Sequence, residues 1–323
     1  MAKTLLVRME SLTYPFVRMP EGKKVAIIGP GRVGMVIAHH LTVREIANEI
    51  VLVGRNLEKA RAEAMDIMHA STFLHSRIQV TAGRMEDITG SEVVVMCASV
   101  PMPKDLQSRD SLARDNDKLM QELLPQVARH APQAKLLMVS NPVDTLTWRA
   151  LELTGFPAER VMGTGTLVDS MRYRKLLSES LAIHPDDIRA YVLGEHGSHQ
   201  FPAVSTAQAA GVMLDDTPER RELFRQASTQ GLEVFQKKGN TCYAIGFAVV
   251  YIIESILLDE CRTIPLSVKI SGYLGIDDVC LSLPVVIGKN GIHCELSPSL
   301  TGREQEEFRL AAKAVRKIID DLG

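Results

Sequence analysis

Short apolar runs alternate with helical periodicity through the first half of the chain. The runs, which are typical of strands buried on both faces, lie at 25–29, 49–54, 91–98 and 135–142, with a further strand expected near 77–81. Apolar residues that recur every three or four positions predict helices up to about residue 47, over 57–69 and over 109–130. This alternation predicts βαβ crossovers and a parallel sheet with helices on both faces.

The pattern changes after about residue 165, where strands and helices no longer alternate regularly. Helices are predicted near 166–181, 218–237 and 241–260, with a closing amphipathic helix that places Phe308, Ala312, Val315, Ile319 and Leu322 on one face. Strands are predicted at 188–193 and near 263–271, 279–287 and 291–295. No Gly/Ser linker separates the halves, so we expect them to share an interface.

The composition narrows the class of protein. Hydrophobic residues make up 46% and charged residues 24% of the 323 residues, which is typical of a globular chain. Lys and Arg number 37 against 39 Asp and Glu, so the charge gives no reason to expect nucleic acid or an anionic membrane as partner. The five scattered cysteines include no CxxC pair, which argues against zinc and suits a reducing cytoplasm. We expect a cytoplasmic protein with a small-molecule partner.

A glycine motif follows the first predicted strand. Gly29, Gly31 and Gly34 form GxGxxG at the start of a helix. The first glycine permits a tight turn, the second lets the backbone approach a pyrophosphate, and the third permits close packing of helix and strand. Arg32 and Val33 lie in the first turn of that helix, whose N-terminus attracts anions. The motif predicts a dinucleotide site.

The strand order and the glycine turn together predict an α/β fold, with a Rossmann-type doubly wound parallel sheet followed by a mixed α+β substrate domain. We divide the chain into an N-terminal extension at 1–22, a dinucleotide-binding domain at 23–165 and a substrate and catalytic domain at 166–323.

The second predicted strand ends at Gly54, where NAD-binding units commonly carry an acid that holds the ribose hydroxyls. Here Arg55 and Asn56 follow the glycine. A small residue followed by a guanidinium leaves room for a ribose 2′-phosphate and offers it charge-assisted hydrogen bonds. This favours NADP(H) as cofactor. The alternative is NAD(H), with Arg55 solvated or stacked on the adenine.

Three charged residues suggest proton transfer and carboxylate binding. His196 lies in GEHG directly after a predicted strand, an exposed position for a proton donor. Asp169 and Arg172 share one face of a predicted helix, so Asp169 is a candidate to orient the imidazole and Arg172 to bind a substrate carboxylate. The alternative is an exposed ion pair. No metal site is expected, because His199 adds no helical HExxH pattern.

Two further polar residues stand beside the predicted cleft. Arg109 follows SVPMPKDLQS, a loop whose prolines and polar residues suit a segment that closes over a site. Asn141 ends the fifth strand in SNPVD, at the carboxyl edge of the sheet where ligands bind.

At these positions the sequence resembles the L-lactate and malate dehydrogenase family. The resemblance runs from about residue 23 to 322 through GPGRVG, SNPVDTLT, RVMGTGTLVDSMR, LGEHG, KKGNTCYAIG and VVIGKNGI. It implies hydride transfer between a nicotinamide and the C2 of a 2-oxo acid. Several such motifs in one order are far more specific than any one of them.

The resemblance also implies residue roles. His196 would be the acid/base, Asp169 its partner, Arg172 the carboxylate clamp and Arg109 the loop residue that polarises the carbonyl. Asn141 would hydrogen-bond the reacting oxygen, Thr241 would line the substrate pocket and Ile245 would pack on the nicotinamide. A homo-oligomer, dimeric or tetrameric, is implied as well.

The loop before Arg109 is one residue longer than is usual in that family. The position that contacts the substrate side chain falls on Met102 or Pro103, which weakens the malate interpretation because a second carboxylate would lack a guanidinium. Met102 favours a longer apolar 2-oxo acid, whereas a Met102 that only packs in the closed loop leaves pyruvate as substrate. A malate dehydrogenase that uses Lys104 is the alternative.

Two other interpretations stay open. Arg174 and Arg189 match the positions at which allosteric lactate dehydrogenases bind a sugar bisphosphate, but ordinary interface or surface ion pairs are the favoured explanation. A dinucleotide-binding regulatory protein without catalysis is the alternative from another class. The presence of His196, Asp169 and both site arginines argues against it.

Overall fold

The computed structural model describes residues 23–74, 78–101 and 109–322, without the side chains of 109–111. The elements of its first half are, in chain order, β1 (Lys24–Ile28), α1 (Arg32–Arg44), β2 (Glu49–Val53), α2 (Leu57–Ser71), β3 (Gln79–Gly83), β4 (Val93–Met96), α3 (Arg109–His130), β5 (Lys135–Met138), α4 (Val143–Thr154) and β6 (Val161–Gly163). Those of the second half are α5 (Leu167–Leu181), β7 (Ile188–Arg189), β8 (Val192–Gly194), β9 (Gln200–Pro202), β10 (Gln208–Ala209), β11 (Val212–Met213), α6 (Pro218–Lys238), α7 (Tyr243–Leu257), β12 (Arg262–Ser271), β13 (Asp277–Gly288), β14 (Gly291–Glu295) and α8 (Gly302–Leu322).

The first six strands form a parallel sheet in the order β3-β2-β1-β4-β5-β6. This is the strand order of a dinucleotide-binding doubly wound fold. The chain adds strands to one side of β1 up to β3 and then to the other side from β4 onwards, so a topological switch point lies between β1 and β4. Ligands bind beyond the carboxyl ends of the strands at such a switch point. The sheet then continues through antiparallel pairs into β12, β13, β8 and β9, with β14 paired to β13. The predicted fold class is confirmed.

The sheet is buried on both faces because successive side chains of a strand point to opposite sides. In β1, Val25 and Ile27 join the core that contains residues of α1 and α7, whereas Ala26 and Ile28 join the core that contains residues of α3 and α4. The continuous apolar run of this strand is therefore the consequence of two cores. The sheet fixes the ends of its strands firmly, and the site is built at those ends.

Some predictions from the pattern were incomplete or wrong. The run 188–193, predicted as one strand, forms β7 and β8, which belong to different sheets: β7 pairs with β10, and β8 pairs with β9 and β13. The helix α4 and the short strand β6 were not predicted. In the part of the chain that the structure describes, no helix combines the length and the apolar character needed to cross a membrane.

Candidate active site

The turn after β1 uses each glycine for a different steric reason. Gly29 has a φ of +93°, and a Cβ there would lie 2.4 Å from the backbone nitrogen of Ala98. A Cβ on Gly34 would lie 2.6 Å from the carbonyl oxygen of Gly29, so α1 packs directly on the turn. A Cβ on Gly31 would meet nothing within 4 Å. The second glycine therefore faces open space beside the switch point.

This turn fits the pyrophosphate of a dinucleotide. Gly31 is the N-cap of α1, and Arg32 and Val33 are its first two residues. The first backbone N–H groups of a helix have no partner within the helix, and the helix dipole makes that end attractive to anions. With no Cβ on Gly31, an anion can approach those groups closely.

Gly54, Arg55 and Asn56 follow β2, at the place where an acid commonly holds the ribose hydroxyls. A Cβ on Gly54 would lie 3.0 Å from Cγ of Pro30, so the proline of the glycine motif packs against this glycine. Asn56 caps α2, because its Oδ1 accepts the backbone N–H of Lys59 at 3.0 Å. Arg55 is exposed and forms no ion pair with the described residues. Its guanidinium is available to a ligand.

His196 lies in the loop of a hairpin between β8 and β9, in which Val192 pairs with Pro202. The loop is closed by Glu195 and His199, whose Oε2 and Nδ1 atoms are 2.6 Å apart. The His196 side chain is 32% exposed. Its Nε2 makes no hydrogen bond to the described part of the chain. The hairpin therefore holds His196 with its Nε2 unpaired among the described residues and the side chain partly exposed.

One buried carboxylate connects the acid/base candidate to the carboxylate clamp. Asp169, in the first turn of α5, places Oδ2 2.7 Å from Nδ1 of His196. Its other oxygen, Oδ1, accepts a hydrogen bond from NH1 of Arg172 at 2.9 Å. The Asp169 side chain is only 3% exposed, so this pair is not the exposed ion pair of the alternative interpretation.

The charges in this cluster support one another. Burial lowers the pKa of His196, but the charge and hydrogen bond of Asp169 outweigh it, and the pKa is raised above the ordinary value. Burial raises the pKa of Asp169, but His196 and Arg172 together hold it below the ordinary value. Each partner thus favours the charged form of the other. The contact therefore favours the imidazolium and carboxylate pair over the neutral pair.

Arg172, the candidate to bind the substrate carboxylate, lines a cavity of about 580 Å³ together with Thr241. A Cβ on Gly231 of α6 would lie 3.0 Å from NH1 of Arg172. The helix therefore approaches the guanidinium as closely as a glycine allows. Ile245, in the first turn of α7, is partly buried against the same core as Val33. Arg172 and Thr241 thus share a cavity, and Ile245 shares a core with Val33 of the helix that follows the glycine turn.

Sequence reasoning missed Asn116, a fully buried amide on α3. Its Nδ2 donates to the carbonyl oxygen of Asn141 at 2.7 Å, and its Oδ1 accepts the backbone N–H of Val100 at 2.8 Å. Asn141 itself is exposed and lies three residues after the end of β5. The signal was present, because position 116 falls in the apolar stripe between Leu112 and Met120.

Asp144 was also missed, although it belongs to the quoted SNPVD segment. It is buried in the first turn of α4, and its Oδ2 accepts the backbone N–H of His196 at 2.7 Å. Met102 lies outside the described residues. Arg109 is the first residue of α3, and only its backbone is described. No group of three His, Cys, Asp or Glu residues in the described ranges is arranged to hold a metal ion.

Comparison with known proteins identifies the family. Residues 23–163 match the lactate/malate dehydrogenase NAD-binding domain, and residues 166–322 match the lactate/malate dehydrogenase alpha/beta C-terminal domain. This chain belongs to the lactate/malate dehydrogenase family. The resemblance drawn from the motifs is confirmed, and the chain is a nicotinamide-dinucleotide-dependent 2-hydroxyacid dehydrogenase of the lactate/malate type.

Individual members of the family cover nearly the whole chain. It is similar to an L-lactate dehydrogenase of Gloeobacter violaceus, with 36% identity over 93% of each chain. It is also similar to one of Moorella thermoacetica, with 38% identity over 93% of this chain and 98% of the other. A crystal structure of a lactate dehydrogenase from a deep-sea metagenome library superimposes with a TM-score of 0.89 and 30% identity, covering 93% of this chain and 99% of the other.

Proposed function

We propose that the protein reduces pyruvate, or a longer apolar 2-oxo acid, to the L-2-hydroxy acid with NADPH, and catalyses the reverse oxidation. The observation that carries this proposal is the contact of Asp169 with both His196 and Arg172. A proton donor and a carboxylate clamp fixed to one buried anion suit a substrate that carries a carbonyl next to a carboxylate.

The residues divide the reaction among them. When bound, the dinucleotide supplies the hydride that the substrate C2 receives. His196 donates the proton to the carbonyl oxygen from Nε2, while Asp169 stabilises the imidazolium before the transfer. Arg172 binds the substrate carboxylate, Arg109 polarises the carbonyl, and Asn141 hydrogen-bonds the reacting oxygen. Thr241 lines the substrate pocket, and Ile245 packs on the nicotinamide.

The proton inventory sets the pH dependence. Reduction uses the protonated imidazole, so its rate is fully present below the pKa of His196 and is lost as the pH rises through that pKa. Because Asp169 raises the pKa of His196, reduction extends to higher pH than an ordinary histidine would allow. Oxidation of the hydroxy acid uses the neutral imidazole and has the opposite dependence.

The cofactor preference is supported by the end of β2. Gly54 carries no acid that would repel a 2′-phosphate, and the exposed Arg55 has no competing ion pair among the described residues. Arg32 and Val33 would bind the pyrophosphate through the start of α1. NAD(H) is the alternative, since the matching domain of the family is named for NAD binding.

The substrate proposal is supported by the relatives, which are named L-lactate dehydrogenases, and by Met102 at the position expected to contact the substrate side chain. Oxaloacetate, with Lys104 as its partner, is the alternative substrate.

The deciding experiment is a matrix of kcat/KM values for NADH and NADPH against pyruvate, oxaloacetate and branched 2-oxo acids. We expect NADPH with an apolar 2-oxo acid to give the highest value. A tenfold advantage of NADH would refute the role of Arg55, and a clear advantage of oxaloacetate would refute the role of Met102. No turnover with any pair would favour the regulatory alternative.

We also propose a homo-oligomer in the cytoplasm. A groove of about 730 Å³ runs between α1, α5 and α7, and its wall includes Phe247, whose side chain is 58% exposed. Exposed apolar surface of this kind is typical of a subunit contact. Arg174 and Arg189 line the same groove, and burial and the charge of Arg189 lower the pKa of Arg174. Sedimentation of Phe247→Glu against the parent protein tests this contact, since the charge should shift the oligomer towards monomer.

A further inference from the structure

A second buried carboxylate contacts the main chain of His196. Asp144 is 2% exposed, and its Oδ2 accepts the backbone N–H of His196 at 2.7 Å. We propose that Asp144 is a positioning residue that fixes the backbone of His196 and whose negative charge stabilises the imidazolium. This inference rests on the proposed role of His196 as the acid/base.

The position of Asp144 in the fold joins two parts of the site. It follows Asn141 by three residues, across Pro142 and the beginning of α4. The short segment from Asn141 to Asp144 therefore carries both the amide proposed to bind the substrate and the carboxylate that holds the hairpin of His196. At its other end, Asn116 fixes the carbonyl oxygen of Asn141. A displacement of this segment would move both groups together.

Burial of the charged Asp144 carboxylate lowers the stability of the fold. A residue kept only for stability would not need that charge. The pKa of Asp144 is raised from 3.8 to about 6, because the effect of burial outweighs the opposing effects of the nearby Ser267 hydroxyl and of His196. Neither Oδ1 of Asp144 nor the Ser267 hydroxyl has a hydrogen-bond partner in good geometry among the described residues. A buried polar atom without a partner reduces stability, so its presence calls for a functional explanation. The first turn of α4 offsets some of this cost.

The sign of the stability effect follows from the raised pKa. The folded protein binds this proton more tightly than the unfolded chain does, so stability falls as the pH rises from about 4 to about 6. At pH 7 the ionised carboxylate of Asp144 thus lowers the free energy of unfolding. An amide in its place would keep an acceptor for the N–H of His196 without that loss of stability.

Among the described groups that face Asp144, His196 is the one that can carry a positive charge. From the hairpin, His196 lowers the pKa of Asp144 and Glu195 raises it. From β13, the buried thiol of Cys280 faces it and is kept neutral, because burial raises the pKa of that thiol well above the ordinary range. From β12, the neutral hydroxyl of Ser267 faces it. The charge of Asp144 in turn raises the pKa of His196.

The test separates charge from hydrogen bonding. Asp144→Asn keeps an oxygen acceptor and removes the charge, whereas Asp144→Ala removes both. Glu304→Gln is the matched control, because Glu304 is also buried in the first turn of a helix and accepts the backbone N–H of Ser205 at 3.0 Å. The histidine pKa values are measured by NMR on the cofactor-free protein, with His196→Asn used to assign the signal of His196. The pH profile of 2-oxo acid reduction and Tm are measured in parallel.

We expect Asp144→Asn to lower the pKa of His196 by about one unit, at the low end of the effect of a neighbouring opposite charge. The alkaline limb of the reduction profile should move to lower pH by the same amount, and Tm should stay unchanged or rise. Asp144→Ala should lower kcat by a further factor of roughly ten, because the N–H of His196 loses its acceptor. Glu304→Gln should change neither the pKa nor the profile.

Two results would overturn the inference. One is a folded Asp144→Asn protein in which His196 titrates as in the parent, and the other is a loss of Tm in that variant with an unchanged pH profile, which would make Asp144 structural. If Asp144→Ala does not fold, Asp144→Asn decides alone. An active His196→Asn protein would instead refute the proposed function, so the two failures are distinguishable.

Discussion

The turn after β1 and the hairpin between β8 and β9 are built from different kinds of residues. The turn depends on the absence of side chains at Gly29, Gly31 and Gly34. The hairpin depends on charged side chains that come from α4 and α5 as well as from its own loop. Binding at the turn is therefore a matter of backbone shape, whereas chemistry at the hairpin is a matter of charges assembled by the tertiary fold.

Removal of the proton donor alone should have the largest effect on catalysis. His196→Asn should lower kcat by about a thousandfold, since a positioned general acid contributes roughly 10² to 10⁴. The dissociation constant of the dinucleotide, measured by fluorescence titration, should stay within about twofold because the turn is untouched. His69→Asn, on the exposed surface of α2, is the control. A His196→Asn protein with near-normal kcat would contradict the division.

Removing the anion behind the donor should have a smaller effect with a characteristic pH signature. In Asp169→Asn the burial that lowers the pKa of His196 is no longer opposed by the carboxylate, so that pKa falls. Reduction is then lost at lower pH, and kcat/KM at pH 7 should fall by about a hundredfold. The matched variant Glu179→Gln, in the exposed Lys175 pair of the same helix, should keep the parent profile. An unshifted alkaline limb in Asp169→Asn would show that the contact is not electrostatic.

Substitution of two glycines of the turn should have different effects, one on stability and the other on dinucleotide binding. In Gly34→Ala the new Cβ would press on the Gly29 carbonyl oxygen, and we expect a loss of about 2 kcal/mol in the free energy of unfolding. In Gly31→Ala the Cβ meets open space, so the protein should fold normally while the dinucleotide binds about tenfold more weakly. Gly302→Ala, also in open space but at the start of α8, should change neither. Denaturant unfolding and fluorescence titration measure both quantities, and equal effects of the first two substitutions would refute the assignment.

The smallest effect concerns the choice between the two dinucleotides. Gly54→Asp alone should weaken the binding of both, because the new Cβ would crowd the ring of Pro30. Pro30→Ala with Gly54→Asp should relieve that contact and raise the kcat/KM ratio of NADH to NADPH by about tenfold, since a carboxylate repels a 2′-phosphate. Pro30→Ala alone is the control. An unchanged ratio in the double variant would show that Gly54 does not set the preference.

The sequence predicted the turn more completely than the hairpin, for a physical reason. A glycine motif between a strand and a helix is local, so Gly29, Gly31 and Gly34 occupy the positions expected of them. Asn116 and Asp144 act through contacts with residues distant along the chain, and only the folded sheet brings those partners together. The periodicity of α3 did place Asn116 among apolar positions, which is a usable signal for a buried amide with a specific partner.

The division of 188–193 into β7 and β8 shows the same limit in the fold. The run is apolar except for Arg189, and nothing in the residues indicates that Ile188 and Arg189 pair with β10 while Val192 to Gly194 pair with β9. Strand partners are set by packing against the whole sheet rather than by local preference. Strands β1 to β5 of the first half were easier to predict, because most of them are short apolar runs separated by helical periodicity, whereas the three-residue β6 was too short to stand out.

Because Asp169 contacts two cations at once, its negative charge is shared between them. An anionic substrate that attracts the guanidinium of Arg172 weakens its interaction with Asp169. The carboxylate of Asp169 then interacts more strongly with the imidazole of His196. Arrival of the substrate and retention of the transferable proton are then thermodynamically linked, and by reciprocity a protonated site is the one that holds its substrate more tightly.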